Sequence, residues 1–228
     1  METPLGVRFR WQISPTRNRL KKGRPRQTVR KTKGAAQPRD PGHHFNDMSE
    51  SAEALAASLT SSRNVTIEIN NTARGICLAD PKVYLESGGC HSPPQPTVRP
   101  LRTEVCNFTK TSGTSGAVGV LTYDIYLKGQ KECKNKLAIM FSVPYDNSAY
   151  KNWVALGIFD MSRECDKSLY KEMYYNECNK FVRQEANGSC VVLNTHDQLD
   201  VMCTMSPLGR AIMKVEVWDK TDAKRLTP

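Results

Sequence analysis

No run of apolar residues in this chain is long enough to cross a bilayer as a helix. The best window, LAIMFSVPY from Leu137, is strand-sized. Any membrane association is therefore expected to be peripheral or triggered. Residues Met1 to Leu20 lack the continuous apolar stretch of a secretory leader, because Arg8, Arg10, Arg17 and Arg19 interrupt it. The expectation is a soluble chain, cytoplasmic or released by a non-classical route, that associates with membranes, a target-cell membrane included. No two cysteines are spaced as CxxC: Cys77, Cys90, Cys106, Cys133, Cys165, Cys178, Cys190 and Cys203 stand far apart. That spacing argues against zinc-finger and thioredoxin chemistry, and without a leader it predicts reduced, mostly buried thiols. The sequons at Asn64, Asn70, Asn107 and Asn187 would matter only in a secreted product.

Residues that carry chemistry are scarce as well. His43 and His44 fall in a basic tail, and His91 and His196 have no Ser or Cys motif at a catalytic spacing. No enzyme activity, metal or cofactor is expected. The glycines of SGTSG at Ser112 are followed by no GK[ST] and read as a strand-entry turn, not a phosphate loop.

What is present is unevenly placed. Residues 1–47 hold twelve Lys/Arg against Glu2, Asp40 and Asp47, so nine of the chain's ten net positive charges sit there. Prolines at 4, 15, 25, 38 and 41 and the run KKGRPRQTVRKTK give that segment a disordered profile. Aromatic interleaving beyond Phe9 and Trp11 is missing, which argues against nucleic acid as a partner. The basic residues would suit anionic lipid equally, or belong to a solvated extension upstream of a start at Met48.

From there the pattern is structural. Asp47 and Glu50 read as a capping box, and Ala52, Leu55, Ala56 and Leu59 form one apolar stripe, predicting a short helix from about Met48 to Thr60. Short β-type runs follow at Val65, Val118, Leu137, Trp153, Leu199 and Ala211, separated by Gly/Pro/Ser turns. A second helix is predicted over about Asp166 to Asn176, with Leu169 and Met173 docking and Tyr170 and Tyr174 on an adjacent, displayed face. The fold class is mainly β: a β-sandwich flanked by two short α-helices.

Five of eight tyrosines (Tyr145, Tyr150, Tyr170, Tyr174, Tyr175) and Trp153 fall between Phe141 and Asn176. Such rings either pack a β-rich core or suit lipid headgroups and quaternary ammonium groups. The motifs SGAVGVLTY at Ser115, LAIMFSVPYD at Leu137, YKNW at Tyr150 and LYKEMYYN at Leu169 break that tie. With YLESG at Tyr84 and AIMKVEV at Ala211, they resemble the actinoporins, the sea-anemone cytolysin family, in order from about Met48 to Lys220. PPQPTVRPL and KVEVWDK look closest to its vertebrate actinoporin-like branch. Residues 221–228 are left as a C-terminal tail.

The resemblance implies binding of phosphocholine lipids, notably sphingomyelin, homo-oligomerisation on the membrane, and a cation-conducting, haemolytic pore made by the N-terminal helix. It implies a headgroup site of Ser87, Val118, Ser142, Pro144, Tyr170, Tyr174 and Tyr175, a membrane-facing loop carrying Tyr150 and Trp153, and a candidate inserting helix carrying Ala52, Leu55, Ala56 and Leu59. Hydroxyls would donate to phosphate and tyrosine faces would surround the trimethylammonium.

Three departures accompany the match. Asn147 and Ala149 stand where the family commonly has Tyr and Trp, FVRQE from Phe181 replaces an Arg-Gly-Asp signature, and the first helix is short. Thirteen helical residues reach about 20 Å against a hydrocarbon core of about 30 Å. Lipid recognition with weak autonomous lysis is the expectation. The alternative is a non-lytic glycan-binding lectin or interaction module of the same fold.

Overall fold

The computed structural model describes residues 51–130, 132–133, 135–194 and 199–220. The 1–47 extension, the Asp47–Glu50 capping box, His196 and the 221–228 tail lie outside the described residues. The described chain begins with α1 (Ala52–Ser58) and continues into β1 (Asn64–Asn71), β2 (Ile76–Ser87), β3 (Gly89–Ser92), β4 (Thr97–Val98), β5 (Arg102–Thr109), β6 (Ala117–Leu127), β7 (Asn135–Val143) and β8 (Trp153–Asp160). After α2 (Lys167–Tyr175) come β9 (Phe181–Glu185), β10 (Cys190–Asn194), β11 (Leu199–Met205) and β12 (Arg210–Asp219). Two six-stranded sheets result, ordered β10-β11-β12-β1-β5-β3 and β4-β2-β6-β7-β8-β9. Neighbours run antiparallel except β1 and β12, which pair parallel from Asn64 opposite Arg210 to Asn71 opposite Val217.

The period-2 geometry of strands explains which residues meet. Leu121, Tyr123 and Ile125 of β6, Leu137, Ile139 and Phe141 of β7, and Val154 and Leu156 of β8 face the other sheet and share its core with Val65, Ile67, Val215 and Val217. Their alternate neighbours Val118, Val120, Ala138, Met140, Ala155 and Phe159 face the other way and are covered by Leu169, Tyr170 and Met173 of α2. Burial on both faces is why these strands read as continuous apolar runs. Each fully buried aliphatic chain here contributes about 1.5–3 kcal/mol.

α2 has the predicted extent. Asp166 is its N-cap, its Oδ1 accepting from Leu169 N at 2.9 Å, and it ends at Asn176, where the backbone leaves helical values. α1 is shorter than predicted. Ser51 caps it, Oγ accepting from Ala54 N at 3.2 Å, and the chain is already extended at Leu59, so seven residues span about 10 Å. Its stripe is committed to packing: Ala52, Leu55 and Leu59 are buried, and Ala56 is half-buried, against the sheet containing β1, β5 and β12. Ala52 N donates to Glu68 Oε2 at 3.1 Å, and Lys214 Nζ lies 2.8 Å from Glu53 and 3.7 Å from Glu68. No helix among the described residues is long and apolar enough to cross a membrane.

Candidate headgroup-binding face

The site is built on one row of strand partners. Ser87 of β2 stands opposite Val118 of β6, Val118 opposite Ser142 of β7, Ser142 opposite Trp153 of β8, and Trp153 opposite Glu185 of β9. Residues far apart in the chain thus line up on the face that carries α2. Gly88 makes the end of the row possible. Its φ is +96°, and a Cβ there would lie 2.6 Å from Gly116 O and 2.7 Å from Thr109 O. The close approach lets Gly116 N donate to Ser87 Oγ at 3.0 Å, which orients the hydroxyl and leaves it its own proton to donate. Pro144, half-buried, follows directly where β7 ends.

Beside the row runs a ladder of rings. Tyr84 of β2 lies 6.3 Å from Tyr170, Tyr170 lies 5.6 Å from Tyr174, and Tyr174 meets Tyr175 edge-on at 4.8 Å. Exposure rises along its α2 part. Tyr170 is only 5 % exposed, Tyr174 is half-buried and Tyr175 is 67 % exposed. The expectation that Tyr170 is displayed beside Tyr174 therefore needs correcting. Leu169, Tyr170 and Met173 span about 100° of helix, the width of one docking stripe, and all three turn to the sheet. Burial pushes the phenols of Tyr170 and Tyr84 up, so both remain hydrogen-bond donors at physiological pH. Tyr84 donates to Glu86 Oε2 at 2.5 Å, and Glu86 also sits 3.4 Å from Lys167 Nζ.

Arg183 fastens the helix to the row. Its Nη1 donates to Tyr174 O and, at 3.2 Å, to Asn176 O, placing a cation at the C-terminal end of α2. The same guanidinium lies 5.5 Å over the Trp153 ring. One face of Trp153 is thus already covered, and the ring is half-buried instead of free on a loop.

The loop from Pro144 to Asn152 projects Tyr145 and Tyr150 instead. Asp146 Oδ1 accepts from Ser148 N at 2.9 Å, Ser148 Oγ at 2.6 Å and Ala149 N at 3.3 Å, and Tyr150 N donates to Asp146 O. The hydrogen bonds from Ser148 hold the Asp146 carboxyl below its usual range. Arg63 Nε ties the loop to β1 through Tyr145 O at 2.8 Å.

Sequence reasoning did not include Tyr84, Glu86 or Arg183 in the site. Tyr84 was within reach, since it precedes Ser87 in the motif YLESG; Arg183 carried no local signal. All eight cysteines are free. Cys106 and Cys203 are buried, four are half-buried, and Cys90 and Cys190 are exposed, so the expectation of mostly buried thiols is corrected. Of the sequons, Asn64 and Asn107 are buried, and Asn107 Nδ2 bonds Val65 O and Thr66 Oγ1 within the sheet.

The chain matches the sea anemone cytotoxic protein family over residues 52–219. It is similar to DELTA-stichotoxin-Hcr4a of Radianthus crispa, 32% identical over 158 residues covering 68% of this chain and 83% of that one. Against DELTA-alicitoxin-Pse1b of Phyllodiscus semoni it is 31% identical over 116 residues, 50% of this chain and 48% of the relative. A stretch of 62 residues, 27% of this chain and 26% of the relative, is 45% identical to DELTA-actitoxin-Aeq1a of Actinia equina. The chain thus spans about half the length of the alicitoxin. In three dimensions it resembles the lipid-binding protein Nakanori, with a TM-score of 0.56 at 13% identity over 73% of this chain and 76% of that one, a likeness of fold. With the sandwich, its two helices and the ordered match across both sheets in place, the chain belongs to the sea anemone cytotoxic protein family, the actinoporins.

Proposed function

We propose that this protein binds membranes by recognising phosphocholine headgroups, as in sphingomyelin and phosphatidylcholine, on the face where the Ser87–Val118–Ser142 row meets the tyrosine ladder. The observation that carries the reading is the gradient from buried Tyr170 to exposed Tyr175 beside that row. Stacked phenol faces attract a trimethylammonium group, with each desolvated contact worth about 2 kcal/mol. The Ser87 hydroxyl and the Tyr174 and Tyr175 phenols can donate to phosphate, and Val118 and Pro144 wall the methyl groups. Glu86, which accepts from Tyr84 and lies 3.4 Å from Lys167, sets a paired charge beside the ladder.

Binding is separated here from lysis. α1 is about 10 Å long and held to the sheet by its apolar stripe and the Glu53–Lys214 pair, which supports weak autonomous pore formation by a protein that recognises lipid and oligomerises on the membrane. Co-sedimentation with sphingomyelin-containing vesicles, run beside a dye-leakage assay, tests both parts. Tyr174→Ala is expected to weaken binding about tenfold, soluble phosphocholine to compete, and leakage to stay low at doses that saturate binding. Binding that phosphocholine does not reduce and a glycan does would turn the reading to a lectin.

A further inference from the structure

Between β3 and β4 the chain crosses from one sheet to the other. β3 ends at Ser92 in the sheet that holds β5, β4 begins at Thr97 in the sheet that holds β2, and Pro93, Pro94, Gln95 and Pro96 bridge them. Proline fixes its own φ near −65° and bars its predecessor from the helical region, so Ser92, Pro93 and Gln95 are restricted as well. No cis peptide bond occurs among the described residues. These restrictions favour polyproline II, which has three residues per turn and about 3.1 Å of rise, so Pro93 and Pro96 share one edge about 9 Å apart. Burial agrees with that placement: Pro93, Gln95 and Pro96 are exposed, Pro94 is half-buried, and the chain bends at Pro96 into β4.

The crossing is fastened from inside. Buried Tyr123 donates its hydroxyl to Gln95 O at 2.9 Å, and Asp80 N donates to Pro96 O at 3.1 Å. Val98, fully buried, pairs with Leu78, and its carbonyl accepts from Asn71 Nδ2 at 3.2 Å; on the other side Cys90 pairs with Phe108. Two carbonyls are thus drawn inward while the pyrrolidine rings of Pro93 and Pro96 stay in solvent. A segment held this way has little conformational freedom left to lose on binding.

Beyond β4 the exposed strip continues. Arg99 and Pro100 are exposed, and Leu101, 57 % exposed, stands at a φ of 57° in a turn closed by Arg102 N donating to Arg99 O at 3.2 Å. Glycine fills such a position without steric cost, and leucine does not. Leu101 therefore serves the fold neither by burial nor by backbone ease, and residues held in this region of φ gather at binding sites. Arg99 and Arg102 make the strip basic. Asp80 is the acidic group at its inner end, and its charge lies against the Tyr126 phenol, which it pushes up.

We infer that residues 93–101 form a docking strip for a partner protein that presents an aromatic-lined groove with an acidic rim. Pro93 and Pro96 seat between the aromatic rings of the groove, and Arg99 meets the rim. A partner that adds a strand is the poorer fit, because the three prolines of the crossing have no N–H to give a ladder. The strip uses no residue of the headgroup site, so this inference goes beyond the lipid-binding reading and does not rest on it.

The experiment titrates the full chain against a panel of purified SH3 domains, whose grooves have this lining and rim. At least one domain is expected to bind, and Pro93→Ala and Pro96→Ala each to weaken that binding about tenfold, with Pro94→Ala, at the half-buried position, leaving it unchanged. Arg99→Glu is expected to weaken it most at low salt, where charge is least screened. Leu101→Gly is expected to weaken binding while raising the temperature of thermal unfolding, since it removes a displayed side chain and its backbone strain together. Co-sedimentation of all these variants with sphingomyelin vesicles is expected to match the native chain. Failure of every domain to bind the native chain overturns the inference, as does binding that survives Pro96→Ala, Arg99→Glu and Leu101→Gly alike. Binding to a synthetic peptide of residues 92–100 but not to the folded chain overturns it too, because the strip is then closed to a partner; each of these results leaves the headgroup site untouched.

Discussion

Four positions apart on α2, Tyr170 and Tyr174 share a ring contact and answer to different constraints. Tyr170 is part of the packing between helix and sheet, so Tyr170→Ala leaves a cavity and is expected to lower stability by about 3–5 kcal/mol, read from urea unfolding. Tyr175→Ala is expected to stay within about 0.5 kcal/mol of the parent. Loss of lipid binding in Tyr170→Ala would therefore report folding as much as recognition, and Tyr174 is the cleaner probe. The identity of the tyrosine cluster was legible in the sequence. Which ring faced inward was not, because Leu169, Tyr170 and Met173 fit one stripe as well as Leu169 and Met173 alone. Glu86 and Arg183 were illegible for another reason: their roles depend on a helix that docks from a distant part of the chain.

At the scale of elements, strands buried on both faces announced themselves and interrupted ones did not. β6, β7 and β8 carry the apolar runs AVGVL, LAIMF and VALGIF, and β11 and β12 alternate cleanly. β2 hides because Asp80 adopts a left-handed φ of 52° next to Pro81 and the pairing with β6 shifts register between Ala79 and Lys82. α1 was overestimated because the apolar stripe continues to Leu59 after the helix has ended.

The docking of α1 has a pH signature. The hydrogen bond from Lys214 holds the Glu53 carboxyl below its ordinary value of 4.5, so this contact is intact above that value and is lost as pH falls through the lowered one. The bond to Glu53 likewise raises Lys214 above 10.5, so its share is present below 10.5 and lost as pH rises through the raised value. Protection of the Ala52–Ser58 amides, taken relative to their intrinsic exchange at each pH, is expected to be greatest between these limits and to fall on acidification before the sandwich opens. Lys214→Ala is expected to show the lowered protection already at neutral pH.

At the scale of the whole molecule, the two sheets are held by rings and aliphatic chains that meet between them. Phe108 of β5 stacks on Phe141 of β7 at 4.8 Å and 16°, one ring from each sheet. Phe108→Ala is expected to cost about 3–5 kcal/mol and to lower the single thermal unfolding transition of the sandwich without changing which lipids are bound. A selective loss of the choline-site face alone would mean that the sheets do not unfold as one unit. The sandwich class was readable from the rhythm of strands and turns; the partnership of the first strand with the last was not, since nothing local in Asn64–Asn71 points to Arg210–Asp219.

That partnership also dictates when the molecule can be finished. β1 pairs with β5 on one flank, but its other flank waits for β12, and the bond from Thr72 Oγ1 to Val217 O joins residues 145 positions apart. During synthesis the sheet containing β1 is left with an open edge until nearly the whole described chain has left the ribosome, because a contact so distant forms only after a large loop is closed. Its central strand is an edge strand for most of its early life, and that interval is when the chain is most prone to pair with another copy of itself.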